Sequence, residues 1–187
     1  MNRIGIIFVF CFALILGCNR SSTISGNAKY FSVSSFFKSE IGKLKLNNSR
    51  VEKTITKDGN PMVSLSDSVK WEDELKPFFD LEINKPDLEK KYELTIDSGK
   101  NIKISTYFTS DTNLAIQRIA ITEANGRVQL FEADYRKRSW IVDRDIRYSY
   151  MPGKGFGMVV KENYIWSNPN GYEIYAQIHS KNDLILE

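Results

Sequence analysis

The feature that most constrains the fold is a series of short segments in the second half of the chain, in which apolar and polar residues alternate. Ile102 and Ile104, for example, oppose Lys103 and Ser105, as side chains do on the two faces of a strand. Turn-forming sequences separate the segments, and Asn125-Gly126 is the strongest, because a type I′ hairpin needs positive φ at both central residues. The strand-like segments are residues 92–97, 102–109, 114–122, 127–137, 139–150, 156–164 and 172–179. They predict an antiparallel meander.

A helix and a hairpin are predicted ahead of this meander. Residues 32–46 carry apolar side chains at helical spacing, with Ser32 as the candidate N-cap. Residues 51–57 alternate as a strand, and the turn sequence Asp58-Gly59-Asn60-Pro61 follows them. Residues 62–65 are a candidate for the returning strand.

A second helix is indicated by Trp71, Leu75 and Phe78, which occupy positions i, i+4 and i+7. Pro77 interrupts the pattern, because proline lacks a backbone donor and clashes with the preceding turn of a helix. We expect the helix either to end at Lys76 or to restart there.

These elements predict the α+β class. The expected architecture is an antiparallel β-meander of six to eight strands, forming a curved sheet or half-barrel, with the two N-terminal helices packed on it. A closed small barrel is the competing outcome.

The N-terminus has the composition of a signal peptide. Met1-Asn2-Arg3 is a short positive start, and Ile4 to Leu16 is a run of thirteen uncharged residues. As a helix this run would rise about 20 Å, too little to span a hydrocarbon core of roughly 30 Å. The pattern therefore favours a cleaved signal peptide over a transmembrane anchor.

Leu14-Ile15-Leu16-Gly17-Cys18 resembles the lipobox of bacterial lipoproteins. The resemblance implies that the Cys18 thiol receives a diacylglycerol, that the chain is cut before Cys18, and that the new amine is acylated, giving palmitate-type chains as the membrane anchor. Cys11 would leave with the signal, so Cys18 would be the single cysteine of the mature chain. The predicted division is a signal peptide at 1–17, a lipidated cysteine with a flexible tether at 18–29, and one α+β domain at 30–187.

A second resemblance involves the early part of the domain. Trp71 to Phe78, Ile83 to Pro86 and the Phe-Phe-Lys-Ser-Glu run at 36–40 are similar to stretches of small uncharacterised lipoproteins of Bacteroidota. This resemblance implies a location and no particular chemistry. In that group an acidic run after the lipidated cysteine marks surface exposure, and residues 19–22 contain no acid. The resemblance thus implies an outer-membrane lipoprotein that faces the periplasm.

Charge and motifs argue against several functional classes. Removing Arg3 from the 26 Lys plus Arg leaves 25, against 23 Asp plus Glu, a net charge of about +2 that does not indicate a nucleic-acid partner. His179 is the single histidine, and no HExxH, CxxC or GxSxG motif occurs. The glycine-rich run 153–157 lies between predicted strands and is interpreted as a hairpin connection. We therefore expect no metal, no cofactor and no enzymatic activity.

The remaining candidates for a binding site are aromatic and cationic residues in the second half. Arginine side chains there could hold an anionic head group while aromatic rings contact an apolar part of the ligand. Core packing and cross-strand pairing are the competing interpretation. The candidate ligand-binding residues are Arg136, Arg138, Trp140, Arg144 and Tyr148. The expected function is non-catalytic binding of a lipid or apolar ligand, with docking on another envelope protein as the alternative.

Overall fold

The structure, a computed structural model, describes residues 29–180. The predicted signal peptide, Cys18 and all but the last residue of the predicted tether lie outside the described residues. The helices are α1 (Val33–Leu46), α2 (Trp71–Glu74) and α3 (Lys76–Phe79), and a 3₁₀ turn spans Pro86–Leu88.

Nine strands form one sheet in which each neighbouring pair is antiparallel. The strands are β1 (Arg50–Lys57), β2 (Asn60–Ser66), β3 (Glu93–Ser98), β4 (Ile102–Phe108), β5 (Ile116–Ala124), β6 (Arg127–Lys137), β7 (Val142–Met151), β8 (Gly155–Tyr164) and β9 (Asn170–His179). Their order across the sheet is β2-β1-β9-β8-β7-β6-β5-β4-β3. Strands β3 to β9 therefore form a meander, and the β1–β2 hairpin joins it at the β9 side.

The predicted fold class, an α+β half-barrel or curved sheet of six to eight strands, is wrong. Residues 29–180 form one nine-stranded antiparallel sheet that is neither closed nor strongly curled, with about 51% of these residues in strands and 16% in helices. The strand count is higher because β1 pairs with β9, so the early hairpin extends the meander. The sheet does not need to close into a barrel, because the helices cover the apolar part of one face and charged side chains occupy much of the other.

The first helix begins and ends where its sequence predicts. Ser32 has extended backbone angles, and its hydroxyl accepts a hydrogen bond from the backbone N–H of Ser35 at 3.3 Å. Lys43 and Lys45 lie in the last turn, where their positive charges interact favourably with the negative end of the helix dipole.

The second predicted helix is broken in two, and of the two predicted outcomes, an end at Lys76 or a restart there, the structure shows the restart. Leu75 separates α2 from α3 with φ −95° and ψ 2°, and Pro77 is the second residue of α3. At that position a proline costs little, because the N–H it lacks would have no helical partner.

An aromatic cluster fills the space between the helices and the sheet. Phe37 of α1 and Phe78 of α3 have ring centroids 4.7 Å apart, and Phe37 lies 5.3 Å from Phe131 and 5.0 Å from Tyr150. Phe37, Phe78, Phe131 and Tyr150 have no exposed surface. Edge-to-face contacts of this kind add to the stabilisation from burial alone.

The hairpin prediction at Asn125-Gly126 is confirmed. Asn125 and Gly126 have φ of 51° and 72°, and they connect Ala124 of β5 to Arg127 of β6, which pair across the turn. Both residues adopt the left-handed region, as a type I′ turn requires.

Candidate functional site

Two connections at one end of the sheet lie side by side. Residues 138–141 join β6 to β7, and residues 165–169 join β8 to β9. The backbone N–H of Ile165 donates a hydrogen bond to the carbonyl of Ile141 at 3.2 Å. The Trp140 and Trp166 rings meet edge to face, with centroids 6.4 Å apart. We call Trp140, Ile141, Ile165 and Trp166 the aromatic tip.

The aromatic tip is exposed to solvent. Trp140 and Trp166 each expose 76% of their surface, and Ile165 exposes 62%. Single exposed apolar residues are common on proteins, but a group of four large ones is less so and makes this tip a candidate interaction surface. The third tryptophan of the chain, Trp71, is buried in the core at 2% exposure.

Side-chain hydrogen bonds hold the first of these loops in place. The Ser139 hydroxyl accepts from the backbone N–H of Val142 at 3.1 Å and donates to the Val142 carbonyl at 2.8 Å. Arg138 lies 3.7 Å from Asp143 and donates to Asp145 at 3.0 Å. The loop therefore presents Trp140 from a hydrogen-bonded turn.

Beneath the tip, Glu162 of β8 joins an arginine to a tyrosine. Its carboxylate accepts from Arg144 at 2.6 Å and from the Tyr164 hydroxyl at 2.8 Å. The hydrogen bonds from Tyr164 and Arg144 lower the pKa of Glu162. The bond between Glu162 and Tyr164 also raises the pKa of Tyr164. Glu162 thus stays ionised at neutral pH, which suits a structural carboxylate better than a proton donor.

The five residues predicted to bind a ligand do not share one surface. Arg136 and Arg138 both contact Asp145, at 3.1 and 3.0 Å, on the face of the sheet away from the helices. Arg144 lies on the helix side with Glu162. Tyr148 is buried, with its ring centroid 5.5 Å from that of Phe78, and burial raises its pKa to about 12.

Of the predicted residues, Trp140 is a member of the aromatic tip and Arg138 flanks the tip in sequence. The sequence interpretation missed Ile141, Ile165 and Trp166 as site residues. The available signal was position, because Trp166 falls between the strand-like segments 156–164 and 172–179 and so has no core-facing place in a strand.

A depression of about 630 Å³ lies on the face of the sheet away from the helices. Asp134 pairs with Arg118 at 2.7 Å and with Arg147 at 3.4 Å, and Asp145 pairs with Arg136 and Arg138. These cross-strand pairs satisfy one another and make a solvated face. We therefore take the aromatic tip as the candidate site.

Within residues 29–180, no group of three or more His, Cys, Asp or Glu side chains is arranged to hold a metal ion. No helix in the same range is long and apolar enough to cross a membrane.

A scan against protein-family models, a search of curated proteins and a search of solved structures each returned no match.

Proposed function

We propose that this chain is a lipid-anchored, non-catalytic protein of the bacterial cell envelope, whose folded domain binds a lipid surface through the aromatic tip. The observation that carries the proposal is the exposed Trp140–Trp166 pair. Indole rings favour the membrane–water interface, where the ring is apolar and the N–H can still find a partner. Ile141 and Ile165 add side chains that gain by leaving water.

In this proposal the lipid contacts the outer surface of the domain and is not a cargo enclosed by the sheet. The space that a cargo would need, between the helices and the sheet, is occupied by Phe37, Phe78, Phe131 and Tyr150. The sheet is also not strongly curled.

The proposed anchor is the lipid on Cys18, and the proposed location is the periplasmic side of the outer membrane. The support is the lipobox-like sequence 14–18 and the absence of acid at 19–22. Stable anchoring by this route needs two or more acyl chains, because a single chain gives only marginal binding.

A second candidate function is docking on another envelope protein. Strand β2 favours it, because β2 lies at the edge of the sheet and all seven of its residues are exposed. Met62, Val63 and Leu65 expose 62–66% of their surface, and β2 carries no charge that would discourage strand pairing.

Vesicle binding by the unlipidated chain tests the lipid-surface proposal. We expect the chain that begins at residue 18 with Cys18→Ala to sediment with phospholipid vesicles, and the double variant Trp140→Ser/Trp166→Ser to partition at least about 30-fold more weakly. That factor corresponds to about 2 kcal/mol, which is the transfer of roughly 40 Å² of apolar surface per indole.

Leu46→Ser is the matched control, because Leu46 is an apolar residue with 82% exposure in a different part of the molecule. It should bind vesicles like the parent chain. If the parent chain stays in solution at every lipid concentration, or if both variants bind equally well, the aromatic tip is not a lipid-binding surface and docking through β2 becomes the better candidate.

A further inference from the structure

The point where the chain enters the folded domain is fixed by contacts. The Tyr30 ring meets the rings of Tyr92 and Tyr107 edge to face, each with centroids 5.8 Å apart. The Asn84 side chain accepts from the Tyr30 N–H and donates to the Tyr30 carbonyl, both at 3.1 Å. Residue 29, directly before Tyr30, therefore has a defined place on the domain.

This entry point lies level with the middle of β6 and β8, where β3 begins and β4 ends. Tyr92 directly precedes β3, Tyr107 is the second-last residue of β4, and the Tyr92 hydroxyl donates to the carbonyl of Ile116, the first residue of β5, at 2.8 Å. In an antiparallel meander the start of β3, the end of β4 and the start of β5 face the same way as the end of β6 and the end of β8. The last two lead into the loops that carry Trp140 and Trp166.

The chain ahead of the domain is long enough to reach the plane of the tip. Tyr107 is level with Met158 of β8, and Tyr164, the last residue of β8, lies six residues further on, so about 20 Å along the strands separates the entry point from the tip end. Eleven residue steps separate Cys18 from Lys29 (29 less 18), and they span at most about 40 Å. A lipid on Cys18 and the aromatic tip can thus lie in one membrane surface without any change in the folded domain.

We infer that the aromatic tip inserts into the same membrane leaflet that holds the lipid on Cys18. The inference rests on the proposed function and adds which membrane the tip meets. Once Cys18 is anchored, tip insertion is an intramolecular step, so it occurs at the high effective concentration set by a short connecting segment. The sheet then stands with its tip end on the bilayer, and the Asn125-Gly126 hairpin at the opposite end points away from it.

Tryptophan quenching in reconstituted vesicles tests the inference. The lipidated mature chain is placed in vesicles that contain brominated phospholipid, or in plain vesicles mixed with separate brominated vesicles. We expect quenching in the first arrangement and none in the second, with no clustering of vesicles by light scattering. The lipidated Trp140→Ser/Trp166→Ser variant stays membrane-bound and keeps only the buried Trp71, so its emission should not respond.

The opposite result would be quenching by the separate vesicles together with vesicle clustering. It would show that the tip binds a facing membrane. The inference would then be overturned, while the lipid-surface function would stand. Absence of quenching in both arrangements would overturn the inference as well. Sedimentation of the unlipidated chain then decides whether the lipid-surface function fails with it.

Discussion

Replacing Phe37 by alanine should lower the free energy of unfolding by about 3–5 kcal/mol, the usual cost of truncating a buried phenylalanine. Phe37 has no exposed surface and contacts the rings of Phe78, Phe131 and Tyr150. It thereby joins α1 to α3 and to the centre of the sheet. The alanine variant leaves a cavity where three elements meet, and the neighbouring rings cannot close it without losing their own contacts.

Urea denaturation followed by circular dichroism measures the effect. Leu46→Ala is the control, because Leu46 ends the same helix and is largely exposed, so its cost should stay within about 0.5 kcal/mol. Phe37→Leu, with a smaller loss, keeps the test possible if the alanine variant does not fold. Equal midpoints for Phe37→Ala and Leu46→Ala would show that the aromatic cluster does not hold the helices on the sheet.

The second large effect is expected at alkaline pH. Burial raises the pKa of Tyr92 and Tyr148 to about 12 and also raises that of Tyr150. An unfolded tyrosine loses its proton near pH 10, so above pH 10 the folded chain binds more protons than the unfolded one and stability falls. The stabilisation is fully present below pH 10 and is lost as the pH rises through 12. By pH 12 we expect Tyr92 and Tyr148 each to lower the free energy of unfolding by about 2 kcal/mol.

Tyr148→Phe isolates one of these groups. The substitution keeps the ring in contact with Phe78 and removes the titrating hydroxyl. At pH 7 the variant should be close to the wild type in stability. Between pH 9 and pH 12 its free energy of unfolding should fall by about 2 kcal/mol less than that of the wild type. Denaturation midpoints are measured for both proteins across that pH range. Parallel curves of midpoint against pH would show that ionisation of Tyr148 does not destabilise the fold.

Much of the local structure could be predicted from the sequence, because the signals act over a few residues. Ser32 caps α1, Asn125-Gly126 forms the turn between β5 and β6, and Pro77 coincides with the restart of the second helix. Each of these depends on the backbone preferences of one or two residues.

The extent and shape of the sheet could not be predicted in the same way. Pairing of β1 with β9 brings Arg50 next to His179, and no local pattern specifies a contact so distant along the chain. Whether the sheet stays open depends on whether its apolar face is covered. The packing of Phe37 and Phe78 between the helices and the sheet provides that cover. The predicted half-barrel assumed that the sheet itself had to enclose that face.

The candidate site was predictable only in part, because alternation does not distinguish a strand residue from a loop residue at a strand end. The alternation places Trp140 in the strand-like segment 139–150, whereas it lies in the loop before β7. Tyr148 is a candidate on the same aromatic and cationic composition, but its side chain points into the core against Phe78. Alternate loops of a meander do lie at one end of the sheet, so the proximity of Trp140 and Trp166 follows once the strand order is known.

The intact mass of the protein recovered from membranes decides whether it is a lipid-anchored envelope protein. We expect a mature chain that begins at Cys18 and carries the added mass of a diacylglycerol and an acyl chain, while Cys18→Ala lacks that mass. A wild-type protein with an unmodified Cys18, and the same mass apart from the substitution as Cys18→Ala, would contradict the anchor and the membrane orientation built on it.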